Sequence, residues 1–175
     1  MYRQKRTKIS ALAIVLSLTA FVTVSGVDKT PQEKDLEYLI GEWESDYELP
    51  GYGVMREEAK YWWGENKHEI KFEVKVYSSG ALIDTSTGFI KIDQEKGTIY
   101  TETNSQAGQV YKSWETGRDG NTAFYDGEAT GNPMMGKFKI KITTRTMDEM
   151  DFAIFLPKGE EFVEFLAVVY KRVKE

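Results

Sequence analysis

"KHEIKFEVKVY", residues 67–77, alternates without a break. His68, Ile70, Phe72, Val74 and Val76 share one side; Lys67, Glu69, Lys71, Glu73, Lys75 and Tyr77 share the other. Successive side chains of a β-strand point to opposite faces, so this period of two describes a strand with one buried face and one wet, charged face. Residues 137–142 (KFKIKI) repeat the scheme, with Phe138, Ile140 and Ile142 inward.

Working outward, the same pattern recurs between turn signals. Leu49-Pro50-Gly51, Gly64-Glu65-Asn66, Ser78-Ser79-Gly80, 93–97, 104–108, Arg118-Asp119-Gly120, Gly131-Asn132-Pro133 and Pro157-Lys158-Gly159 all use the residues that tight turns require. The spacing predicts strands near 42–49, 53–63, 67–77, 81–84, 86–93, 97–104, 109–117, 121–129, 136–146, 148–156 and 160–173. The 81–84 segment can merge with 86–93, which puts the count at nine to eleven. Short antiparallel strands joined by tight hairpins favour an up-and-down meander. A meander of about ten strands gains most by closing into a barrel, because closure removes unpaired edges. The expected fold is therefore all-β: a roughly ten-stranded antiparallel barrel, wide enough to enclose a cavity.

Before the strands, Thr30-Pro31-Gln32-Glu33 reads as a helix start, with a capping threonine, a first-turn proline and a glutamate that reaches back. Leu36, Leu39 and Ile40 form one apolar stripe, and Gly41 ends it. A short helix of two to three turns is expected ahead of the barrel.

Residues 1–26 are a different kind of segment. Arg3, Lys5, Arg6 and Lys8 precede a 16-residue run, 9–24, that is apolar but for two serines and two threonines, and Val24-Ser25-Gly26 offers small residues for cleavage. That is the pattern of a secretory signal peptide. The competing reading, an uncleaved anchor, needs about 20 apolar residues to span a bilayer. Residues 27–175 then form a single 149-residue domain expected in the periplasm or the medium. Removing four basic residues leaves 19 Lys and Arg (23 − 4) against 28 Asp and Glu, a net charge of −9. This balance argues against nucleic acid or an anionic membrane surface as a partner. Cysteine is absent, so disulfides, thiolate metal sites, cysteine nucleophiles and an N-terminal lipid tether are ruled out.

The order of the motifs resembles that of the calycin superfamily of lipocalins and fatty-acid-binding proteins. More closely it is similar to an uncharacterised family of secreted bacterial proteins with lipocalin-like barrels. The residues that carry the likeness are 39–43 (L-x-G-x-W), Trp62-Trp63-Gly64, 88–93, Met134-Met135-Gly136 and Tyr170-Lys171-Arg172. They span about residues 33–173; Glu65-Asn66 departs from the family pattern. The resemblance implies a structural floor in which Trp43 lies across the closed end and Arg172 packs over it.

Candidate chemistry is sparse. His68 is the only histidine, in phase with the apolar face, and an inward histidine can ligate haem. The resemblance extends to nitrobindin-type barrels, which bind haem through a histidine nearer the C-terminus. One histidine and no cysteine leave no usual zinc set. Acid clusters at Glu57-Glu58, Asp126 and Glu128, Asp148-Glu149 with Asp151, and Glu160-Glu161 with Glu164 lack the spacing of a known calcium loop or a visible catalytic partner. Ser78-Ser79-Gly80 is a turn, lacking a nucleophile-elbow pattern.

Aromatic residues make up 13% of the chain, enough to line a pocket. Tyr61, Trp63, His68, Phe72, Tyr111, Trp114, Phe124 and Phe138 are the expected lining. Such a cavity suits a small hydrophobic molecule, and ligand carriage without catalysis, metal or cofactor is the leading expectation. The alternatives are a solidly packed envelope interaction protein, a haem-binding barrel, and an enzyme using His68 or an inward carboxylate. The ligand and the oligomeric state are not readable from these residues.

Overall fold

A computed structural model describes residues 31–49, 52–65, 67–93, 95–132 and 135–174. The expected leader 1–26, the capping Thr30, and the turn residues Pro50, Gly51, Asn66, Pro133 and Met134 lie outside the described residues. The chain opens with α1 (Pro31–Asp35) and a 3-10 turn (Glu37–Leu39). Ten strands follow: β1 (Gly41–Leu49), β2 (Gly53–Trp63), β3 (Glu69–Ser78), β4 (Ala81–Asp93) and β5 (Thr98–Ser105) form the first half. The second half is β6 (Val110–Asp119), β7 (Thr122–Thr130), β8 (Lys137–Thr146), β9 (Glu149–Lys158) and β10 (Glu161–Arg172).

Each strand pairs antiparallel with the next, and β1 also pairs with β10, so the meander closes into a ten-stranded barrel. The segments expected at 81–84 and 86–93 are one strand, β4. Bulges at Val76/Tyr77, Glu115/Gly117, Thr144/Thr146 and Glu164/Leu166 add local twist and bend the sheet toward closure.

The inner face follows the alternation. Ile70 is fully buried and Phe72 nearly so, while Val74 and Val76 point the same way into the interior. On the outer face the charges pair across or along strands, as in Lys60 with Glu42 at 2.7 Å and Arg56 with Glu44 at 2.6 Å. These are exposed pairs and contribute little individually.

The helical lead-in is shorter than its stripe suggested. α1 has five residues, and at Leu36 the chain tightens into a 3-10 turn before Ile40 becomes extended. The carbonyls explain the break. Trp43 Nε1 donates to the Leu39 carbonyl at 2.8 Å, and Arg172 donates to the carbonyls of Tyr38 and Ile40. An α-helix continued through these residues would have kept those acceptors pointing along its own axis.

The floor of the barrel is built from this lead-in. Leu36 and Leu39 pack on Trp43, Ile70, Ile99 and Met150, all buried. The Arg172 guanidinium lies 4.4 Å from the centre of the Trp43 ring, and these two residues are ladder partners in β1 and β10. Gly41 has φ +125°, and a Cβ there would sit 2.6 Å from Arg172 Nη1, so only glycine lets the arginine cross.

The closure is uneven. The β1–β10 ladder has two residue pairs, Trp43 with Arg172 and Glu44 with Lys171, whereas β1–β2 has nine. The two strands meet at the floor and part above it.

Candidate functional site

Inside the barrel is a cavity of about 350 Å³, running from Leu36 and Leu39 at the floor to Met135 near the β7–β8 connection. That volume lies at the small end of the range typical of small-molecule pockets, about 300–1,000 Å³. Most of the wall is aliphatic or aromatic, and Ser86, Thr101, Thr103 and Ser113 supply hydroxyls along β4, β5 and β6.

Four of the expected lining residues are on this wall, and they touch in two pairs. Tyr61 and Phe72, opposite each other in β2 and β3, have ring centres 5.6 Å apart. Tyr111 and Phe138 meet edge-on at 6.3 Å across β7. That second contact depends on Gly127, opposite Phe138, because the Phe138 ring occupies the space a Cβ would take.

The other four lie elsewhere. Trp63 packs, half-buried, against the floor cluster and does not reach the cavity. His68 precedes β3 in the hairpin turn, where Lys67 has φ 58° and its N–H bonds the Gly64 carbonyl. The turn takes His68 out of the strand's phase. Its ring is 45% exposed, with Nδ1 2.9 Å from Oε1 of the buried Glu33 in α1. His68 thus ties α1 to the β2–β3 turn, and its position gives no geometry for a haem ligand inside the barrel.

Trp114 and Phe124 have the wrong phase. Their neighbours Ser113 and Tyr125 line the cavity, so these two rings point outward. Phe124 is 40% exposed. Trp114 belongs to an outer row with Tyr100 and Phe89, whose ring centres are 5.4 Å and 5.9 Å apart in sequence along the row. Lys91 sits over Phe89 and Tyr100, and Lys96 over Trp114.

The polar centre of the cavity is Glu57 of β2. Oε1 accepts the hydroxyl of Tyr47 in β1 at 2.6 Å, and Oε2 accepts the hydroxyl of Tyr170 in β10. Burial, and then the Glu57 charge, push all three nearby hydroxyls, Tyr47, Tyr61 and Tyr170, well above the ordinary tyrosine value. They stay protonated, and Tyr47 and Tyr170 donate to the carboxylate. These bonds span the region where β1 and β10 no longer share a ladder, so one carboxylate joins three strands there. Ser45, opposite Glu57 in the β1–β2 ladder, is buried, and its hydroxyl has no hydrogen-bond partner among the described residues.

A second carboxylate, Asp84, accepts from Ser105 at 2.9 Å and from the wall residue Ser86 at 3.2 Å. No lysine, arginine or histidine among the described residues lines the cavity. Nor does any group of three or more His, Asp or Glu side chains among them stand close enough to hold a metal ion.

Glu57 had one signal in the sequence. It occupies the inward phase of β2, with Met55, Ala59 and Tyr61, where Arg56, Glu58 and Lys60 face out. An acid in an apolar phase is costly unless hydrogen-bonded, and it marks a functional position or a structural tie. Its tyrosine partners lay too far off in sequence to be paired with it.

The site is thus a mainly apolar chamber with a tyrosine-held carboxylate on its wall. In comparison with known proteins, the chain matches no family model and no curated sequence.

Proposed function

We propose that this protein holds a small apolar or amphipathic molecule inside its barrel without transforming it. The observation that carries the reading is the chamber itself: about 350 Å³, walled mainly by aliphatic and aromatic side chains. A solidly packed barrel has no such space, since protein interiors ordinarily leave few voids larger than a water. The positively charged, then apolar, N-terminal segment supports export, and carriage of a ligand outside the cytoplasm fits a lipocalin-like protein. The floor pair of Trp43 and Arg172 supports that likeness as well.

The test is uptake of a neutral hydrophobic probe. Purified mature chain is titrated with Nile red and examined by native mass spectrometry. Saturable one-to-one binding is expected, and Val74→Trp, which fills the chamber, is expected to abolish it while circular dichroism stays that of the parent. A bare mass with no probe uptake sinks the reading.

A further inference from the structure

We propose that the cavity selects a small amphipathic cation, an amine with an apolar body, whose ammonium group is held by Glu57. The inference rests on the ligand-holding reading above and names the chemistry of the ligand's head.

The charge arrangement carries it. Glu57 faces the chamber, and its two described partners are both neutral hydroxyls, those of Tyr47 and Tyr170. A carboxylate offers about four acceptor positions, and two are in use. The remaining capacity faces an apolar space in which no cationic side chain of the described residues takes part. A second carboxylate, Asp84, bonded to the wall residue Ser86, is not itself a lining residue and adds the same sign. An anionic ligand, such as a fatty acid, would place its head beside Glu57 with no counter-charge among the described lining residues. A neutral alcohol gains hydrogen bonds only. An ammonium group gains both hydrogen bonds and an ion pair, at a partly buried carboxylate where such a pair is stronger than in open water.

The wall around Glu57 fits the rest of such a molecule. Tyr61, Phe72 and Tyr170 are among the aromatic rings of the same cavity wall, Tyr170 bonding the carboxylate itself, and such rings attract a cation as well as an apolar chain. The outer basic residues do not offset this, because Arg56, Glu57's neighbour in β2, is engaged outside by Glu44, Asp46 and Glu58.

A structural role for Glu57, tying β10 to β2, would not discriminate between ligand heads, so head-group preference is the readout. Octylamine, octanol and octanoate are titrated into the purified mature protein at neutral pH by calorimetry, and into Glu57→Gln. Octylamine is expected to bind about tenfold or more tighter than octanol, as hydrogen bonds to charged groups imply. Octanoate is expected to be weakest. In Glu57→Gln the amine advantage should vanish while octanol binding persists, which also reports that the variant is folded. Should the variant fail to fold, the wild-type series decides by itself. Octanoate binding as tightly as octylamine, or an amine preference unchanged by Glu57→Gln, overturns the inference and leaves ligand carriage standing. No uptake of any of the three overturns both.

Discussion

At the floor of the barrel Trp43 is 1% exposed; at the opposite rim Tyr52 and Val54 are 65% exposed and Leu82 is 53% exposed. Both ends are made by the same hairpin wall, yet among the described residues only one is covered. The floor has a lid of its own, the segment from α1 to the 3-10 turn, and a cation that stitches it down: Arg172 reaches the carbonyls of Tyr38, Ile40 and Met147. No comparable plug covers the rim among the described residues, and Met135, at that end, lines the cavity directly. The difference teaches that packing is concentrated at one end, where the strands are locked, and that apolar side chains are left exposed at the other, the end at which the proposed ligand would enter.

The sharpest way to break this contrast is at its most buried ring. Trp43→Ala removes the centre of the floor and strands the arginine above it, and is expected to cost about 3–5 kcal/mol, as for other buried aromatics. Urea unfolding would show this as a lower midpoint, or as failure to accumulate folded protein. A loss under about 1 kcal/mol would mean that the floor is not where stability resides.

Arg172→Lys is the next largest. Lysine keeps the charge but loses the planar fork that reaches several carbonyls at once. We expect a loss of about 2 kcal/mol, from leaving those carbonyls without their charged donor. Amide exchange should speed first in residues 36–43, and a uniform change across the barrel would contradict the local lock.

Between floor and rim stand the inward tyrosines, which make a pH prediction. Tyr47, Tyr61, Tyr125 and Tyr170 all have hydroxyls raised above the ordinary value of about 10, with burial the first cause. A group whose folded value exceeds its unfolded value stabilises below the unfolded value and loses that contribution as pH rises through the folded one. Stability should therefore be flat up to about pH 10 and fall above it. Absorbance of tyrosinate should rise in two stages, exposed rings first and these four only with unfolding. A single ordinary titration of every ring would show that the hydroxyls are not sheltered.

The smallest effects belong to the rim. Leu82→Ser and Val54→Ser change exposed side chains and should shift unfolding free energy by no more than about 0.5 kcal/mol. If either costs as much as Arg172→Lys, the rim is packed in solution and the two ends are not different in kind.

Much of the fold was legible in the sequence because strand phase is a local property. The alternation in residues 67–77 gives the inward face of β3 by itself, and glycine-bearing turns mark every hairpin but β8–β9, which reverses at Met147-Asp148. The same rule explains the misplacements. Trp114 was grouped with Tyr111, three residues away, and three positions along a strand lie on opposite faces. Phe124 and Tyr125 are neighbours, so one had to face out; pairing Gly127 with Phe138 would have identified Tyr125 as the inward ring. His68 reads as inward because the alternation runs through it, but the turn at Lys67 delays the strand, which begins at Glu69, two residues later than the pattern suggests.

By itself, then, the sequence determined an all-β meander, its turns, and the faces of most strands, because each depends on residues a few positions apart. Only the tertiary structure decided what the faces enclose. Tyr170 and Glu57 are 113 positions apart, and they meet because β10 returns beside β1 and the two strands separate above the floor. Whether an inward acid is a cost or a site depends on which hydroxyls closure brings to it. That is set by strand order and register around the whole barrel, quantities that no single stretch of the chain contains.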